Sequence, residues 1–238
     1  MNENLIILSQ KNNLNNENKV YIIYFDNICI CAKFTSCEFY TENKIGVRNG
    51  YDFELWKDYG DTYMSLNEGA KFYCAWKNIG NVLFRIGKKF DLSRKWWEFN
   101  EITVYYYADF KPNGNSYLCV YGWSKEPLVE YYIVDSWGTW RPPGGNSLGQ
   151  IYEDDGVYDI YVTDRIDKPS IEGDKTFKQY WSVRTQKRNG GTVTLKNHFY
   201  EWSKRGLNLG KLYEASLNIE GFESSGEANV LYNDVVAY

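Results

Sequence analysis

The chain has 238 residues, a length that a single all-β domain can fill without splitting. Its formal charge of −4 leaves no basic field to attract nucleic acid or anionic lipid. Aromatic residues make up 18% of the chain, with 22 Tyr and 9 Trp, and full burial of so many rings would leave phenol and indole donors short of partners. Many rings are therefore expected half exposed on a surface that binds something flat and polar. A pyranose, with a C–H-rich face and hydroxyl edges, meets that description.

Taken in chain order, residues 1–18 are polar and rich in Asn, which predicts disorder. Residues 20–34 are apolar but interrupted by Asp26, Asn27 and Lys33; they are too short for a membrane span and lack the basic flank and small-residue cleavage pattern of a signal peptide. Residues 1–36 are accordingly read as an extension, disordered or an added edge strand, and 37–238 as one domain. From there on, short runs rich in Tyr, Val, Ile, Trp and Thr alternate with Gly, Asn and Asp. They predict strands at 51–56, 62–66, 71–77, 101–110, 116–123, 128–137, 156–164, 177–187, 192–195, 212–220 and 229–237, enough for a sandwich. Pro112-Asn113-Gly114 and Asn189-Gly190-Gly191 predict hairpin turns. One segment, 197–205, carries Phe199 and Trp202 with Leu207 beyond, a spacing that predicts a short amphipathic helix closed by Gly206. His198, the chain's one histidine, lies at its start and is expected to pack or cap. The five cysteines (Cys29, Cys31, Cys37, Cys74 and Cys119) follow no zinc spacing, so neither a metal nor a disulfide framework is predicted from them.

Two segments carry candidate chemistry. In the strand predicted at 128–137, side chains alternate between faces, so Val129, Tyr131 and Ile133 form a core face and Glu130 shares the other with Tyr132 and Val134. A carboxylate flanked by Leu, Val and Tyr is poorly solvated unless it opens on a cleft or meets an Arg or Lys. A second such residue, Glu220, stands at a strand end beside Gly221 and Phe222. Two strand-borne carboxylates among sugar-sized aromatic surfaces suit glycoside hydrolysis, in which one attacks or stabilises the anomeric carbon and the other protonates the leaving oxygen. Spacing alone does not bring them together, and a non-catalytic, lectin-like jelly roll would show the same aromatic strands.

Beyond composition and periodicity, six motifs resemble glycoside hydrolase family 11, the β-jelly-roll xylanases. Residues 126–143 resemble its nucleophile signature, 219–230 (IEGFESSGEANV) its acid/base signature, 169–173 the tip of its thumb hairpin and 176–184 the return strand. Residues 198–210 resemble its only helix and the following turn, and 51–58 its finger strand. The resemblance implies a β-jelly-roll sandwich of two twisted antiparallel sheets with a long cleft and one short α-helix, and 37–238 as the catalytic domain. It implies endo-acting hydrolysis of β-1,4-xylosidic bonds with retention, Glu130 acting as nucleophile and Glu220 as acid/base. Tyr121 and Tyr132 would place phenols in the cleft. Arg165, Gln179 and Trp181 would line its thumb side, Trp56 would stack on a distal sugar, and Pro169 and Ile171 would form the thumb tip. Asn81 matches the position that touches the acid/base, and a neutral amide there implies a bell-shaped pH profile centred around pH 5.5–6.5. The expected partners are xylan and xylo-oligosaccharides, with no cofactor, metal, nucleic acid or membrane. A monomer is expected, and a secreted one by analogy, although no clear signal peptide is present. The chain departs from the pattern at Glu227 and in the register near Tyr213, to which no role is assigned.

Overall fold

The structure is a computed structural model that describes residues 20–25, 28–33 and 38–238; the expectations for residues 1–18 and for Cys37 lie outside it. Strands β1 (Val20–Phe25) and β2 (Ile28–Lys33) form an antiparallel ladder with each other, Val20 opposite Lys33 and Phe25 opposite Ile28.

Residues 39–238 form a separate unit built on three unusually long strands: β7 (Phe72–Lys89), β8 (Ile102–Lys125) and β14 (Lys211–Ala237). β14 lies between the other two and pairs antiparallel with both along most of its length. One half of this triplet continues outward on one side through β5 (Tyr51–Lys57) to β4 (Lys44–Arg48). On its other side follow β9 (Val129–Trp137), β12 (Lys175–Arg184), β11 (Gly156–Lys168) and β10 (Gln150–Glu153). The other half pairs with β6 (Asp61–Leu66), which meets β3 (Glu38–Tyr40), and with β13 (Gly190–Thr194). The two layers of the sandwich are thus one hydrogen-bonded network, continuous through the long strands. One pair departs from the antiparallel expectation: β9 and β12 run parallel, with Glu130 opposite Gln179.

The sequence predicts β8 and β14 in two pieces each and, of β7, only the first part at 71–77. Pro112-Asn113-Gly114 was expected to reverse the chain, yet β8 runs straight through it, with Gly114 at φ 111°. Opposite, the register of β14 shifts between Phe222 and Ser225, and Glu223 takes φ 45°. Matched irregularities on neighbouring strands bend both without ending either, which is what bulges do. Strands β3, β4 and β10 and a 3₁₀ turn at Trp96–Glu98 were not anticipated.

Alternation sets the two faces of the shared sheet. On β8, Leu118 and Val120 point into the main core, while Tyr117, Cys119, Tyr121 and Trp123 join Tyr132, Val134, Phe177 and Trp181 in a second cluster on the opposite face. Helix α1 (Leu195–Ser203) buries Leu195, His198, Phe199 and Trp202 against the core side, and Trp202 donates to Ser182 Oγ at 2.9 Å. It ends as predicted near Gly206, whose φ of 76° lets Leu207 N–H return to the Trp202 carbonyl. His198 packs: it is fully buried, edge-on to Tyr158 and 3.3 Å from Asp154 Oδ2. Cys74 and Cys119 are buried free thiols. Among the described residues, no helix is long and apolar enough to cross a membrane, and no group of His, Cys, Asp or Glu could hold a metal ion.

Candidate active site

The second cluster floors a cleft of about 970 Å³, and every site residue predicted from sequence lines it. Glu130 enters from β9 and is held at three points. Tyr121 Oη donates to Oε1 at 2.8 Å, Tyr132 Oη donates to the same oxygen at 3.2 Å, and Gln179 Nε2 donates to Oε2 at 2.6 Å. Each donor is itself oriented. Trp123 Nε1 donates to Tyr121 Oη at 2.5 Å; Thr163 Oγ1 donates to Gln179 Oε1 at 2.9 Å and accepts from Trp181 Nε1 at 2.9 Å. Trp181 stacks on Tyr132 with ring centroids 4.1 Å apart. The carboxylate therefore has one available geometry. Burial pushes its pKa above the usual value, against the opposing pull of the three hydrogen bonds and of the Arg165 charge.

Glu220 enters from β14, two strands away and across β8. It is as buried as Glu130 but accepts less: Asn218 Nδ2 lies 3.4 Å from Oε2. Burial and the nearby negative charge of Glu130 push its pKa up to about 8. Both carboxylates open on the same cleft, and the charge of Glu130 acts on Glu220. The pair has unequal environments. Glu130 is offered three donors that oppose the effect of burial, whereas Glu220 is offered one and favours the protonated form at neutral pH.

The remaining predicted residues take the following places. Trp56, half-buried on β5, packs against the floor cluster. Arg165, exposed on β11, lowers the pKa of both glutamates through its charge. Pro169 and Ile171 sit at the turn joining β11 to β12; Ile171 rests on the floor cluster, and its neighbour Glu172 meets Lys125 at 3.1 Å. Asn81 lies on β7 opposite Phe222, two positions from the residue facing Glu220, and its backbone is clamped by Asp58. Its side-chain Oδ1 is buried without a partner, and among the described hydrogen bonds its amide reaches no carboxylate. Glu227 faces away from the cleft, accepting from Tyr73 and pairing with Lys111. Tyr213 does line it, between the ammonium groups of Lys89 and Lys125.

Sequence reasoning missed the ionic floor. Arg85, buried on β7, pairs with Glu54 at 2.7 Å and Glu214 at 2.9 Å, and its guanidinium lies 5.1 Å from the centre of the Tyr121 ring. The alternation Asn81, Leu83, Arg85 on one strand face was the available signal. Asn218 was missed as well, although it shares a face with Glu220 two residues on.

The family model for Glycosyl hydrolases family 11 matches residues 48–231. This chain belongs to glycosyl hydrolase family 11. Over 194 residues it is 55% identical to Endo-1,4-beta-xylanase A of Thermoclostridium stercorarium, matching 82% of this chain but 30% of that protein. It is also 55% identical to Endo-1,4-beta-xylanase A of Bacillus pumilus, over 82% of this chain and 85% of that one. The solved family 11 xylanase from Neocallimastix patriciarum superposes with a TM-score of 0.80 at 38% identity, covering 84% of this chain and 100% of its own. The chain thus spans about a third of the first of these curated relatives. As a member of family 11 it carries the jelly roll that the sequence predicted.

Proposed function

We propose that this chain is an endo-β-1,4-xylanase that cleaves internal bonds of xylan and xylo-oligosaccharides with retention. Glu130 is the nucleophile and Glu220 the acid/base. The observation that carries this reading is the pair of buried carboxylates that line one cleft, one held by three donors and the other pushed up to about 8. In the first step, ionised Glu130 attacks the anomeric carbon as Glu220 delivers its proton to the leaving oxygen. Glycosylation removes the charge on Glu130, so the pKa of Glu220 falls and the same group becomes the base that activates water.

Trp56 and Trp181 offer stacking surfaces, Arg165 and Gln179 offer donors, and Pro169 and Ile171 cover the bound chain. A pentose, lacking the C6 hydroxymethyl, suits a covered cleft better than glucose does. Asn81, neutral and on the strand beside Glu220, leaves the acid/base uncoupled to a second carboxyl on that side. A lectin-like role has no use for two buried carboxylates, whose desolvation costs stability.

Hydrolysis of soluble xylan, with the anomer of the first product followed by NMR, tests the reading. Glu130→Gln and Glu220→Gln should each abolish activity with the fold retained, and the first-formed anomer should be β. Near-wild-type turnover in either variant, or an α product, would overturn it. On an aryl xyloside with a good leaving group the two should part: Glu220→Gln should accumulate the glycosyl-enzyme and Glu130→Gln should not.

A further inference from the structure

Glu220 has an amide neighbour that the resemblance to the family did not single out. Asn218 is fully buried on the same face of β14, two residues before Glu220, and its Nδ2 points between two acceptors. One is Glu220 Oε2 at 3.4 Å; the other is the Cys119 thiol sulfur at 3.6 Å, on the neighbouring β8, where Cys119 pairs with Asn218 in register. The Cys119 thiol is in turn 3.8 Å from the Asn218 carbonyl, so the side chain and backbone of Asn218 embrace one sulfur. Its Oδ1 is buried with no partner. An amide with a stranded oxygen and a donor shared between a weak acceptor and a carboxylate has its strongest available interaction at the carboxylate, because charge-assisted hydrogen bonds outweigh those to sulfur.

We infer that Asn218, seated on Cys119, is the positioning residue of the acid/base: it orients the Glu220 carboxyl and favours its ionised form. The inference rests on the assignment of Glu220 made above. The other groups facing Glu220 are Glu130 and Tyr132 from β9, Tyr117 and Cys119 from β8, and Arg165 from β11. Burial and Glu130 raise the Glu220 pKa, whereas Tyr132, Asn218 and Arg165 lower it. Among the described hydrogen bonds Asn218 is the one donor to Glu220, and it does not serve Glu130. It sets the protonation of one carboxyl without altering the other. A bare carboxyl rotates more freely and holds its proton to higher pH, which suits the first chemical step and hinders the second, when Glu220 must act as base. The fit is chemical as well as spatial: a thiol fills the volume under the amide yet competes weakly for its proton, leaving the donor to Glu220.

The test is the pH dependence of kcat/KM on an aryl xylobioside with a poor leaving group, using the full chain. Asn218→Ala should move the alkaline limb upward by roughly half a pH unit and leave the acid limb in place, since removing a donor to the ionised form raises a carboxyl pKa. Thermal unfolding establishes that the variant is folded. Cys119→Ser changes one atom and keeps the volume, but offers the amide a stronger acceptor. It should move the same limb the same way by a smaller amount, so the inference stands or falls even if Asn218→Ala does not fold. On a substrate with a good leaving group, both variants should slow deglycosylation and lower kcat and KM together, leaving kcat/KM nearly unchanged. If neither variant moves the alkaline limb, or if both limbs move together, Asn218 does not position Glu220. Glu220→Gln run alongside separates the two readings: loss of xylan hydrolysis there with an unmoved profile in the other variants rejects this inference alone, and retained hydrolysis rejects the assignment beneath it.

Discussion

Glu130 shows how a site residue is legible in part from sequence. Alternation along 128–137 correctly put Val129, Tyr131 and Ile133 in the core and Glu130 with Tyr132 on the opposite face. What it could not supply were the partners, since Tyr121, Gln179 and Glu220 come from three other strands. Their convergence depends on register, and on a parallel β9–β12 pair that no local pattern announces. The hydrogen bonds carry definite consequences. Tyr121→Phe removes the 2.8 Å donor to Glu130 and leaves the Trp123 indole without its acceptor. Loss of a bond to an ionised group is worth about 1.5–3 kcal/mol, so kcat/KM on xylan should drop roughly tenfold to hundredfold. The sign on pH follows. The bond favours ionised Glu130; without it the pKa rises, and the acid limb of the profile should move to higher pH while the alkaline limb stays. For the unaltered chain, the limbs belong to Glu130, raised by burial above the ordinary carboxylate range, and Glu220, pushed up to about 8, so activity should fall on the alkaline side through about pH 8. A pH series of kcat/KM checks both statements.

At the level of elements, the sequence predicted short strands where the molecule builds long ones. Pro112-Asn113-Gly114 predicts a turn, a sound local rule that fails because Phe222–Ser225 on β14 is irregular at the same height. Turn residues on one strand are ambiguous until the neighbour is known. Without this continuity Glu220 would have no fixed relation to Glu130, because β8 is the strand between them. Its glycines are informative here. A Cβ on Gly122 would lie 2.0 Å from the Glu214 carbonyl and 2.4 Å from the Tyr131 hydroxyl, so Ala there must push β14 away from β8 or displace a core ring. Overpacking of this kind costs about 1–3 kcal/mol. Gly122→Ala should therefore lower Tm and, by moving the strand that carries Glu220, lower kcat by more than the loss of folded protein explains. Unfolding curves and active-site titration on the same preparation separate the two effects.

For the molecule as a whole, a prediction concerns residues 1–36, read from sequence as an extension. Among the described residues, none that lines the cleft precedes Ile45, so deleting 1–36 should leave kcat on xylan within a few-fold of the full chain. A collapse of activity in a folded deletion would show that the extension builds part of the cleft. Global stability should also register the acid/base. A carboxyl whose pKa rises from 4.5 unfolded to about 8 folded binds an extra proton in the native state between those values. Its contribution is fully present below pH 4.5 and is lost as pH rises through about 8, because the slope of unfolding free energy with pH is negative wherever the native state holds more protons. Glu220→Gln keeps the shape of the acid and cannot ionise. Its Tm should match that of the parent at pH 4 and exceed it increasingly toward pH 8, the stability that the unaltered chain gives up for a working acid. Scanning calorimetry of the two proteins at several pH values reads the difference directly. Parallel Tm curves across that range would mean that Glu220 ionises as easily in the folded chain as in the unfolded one.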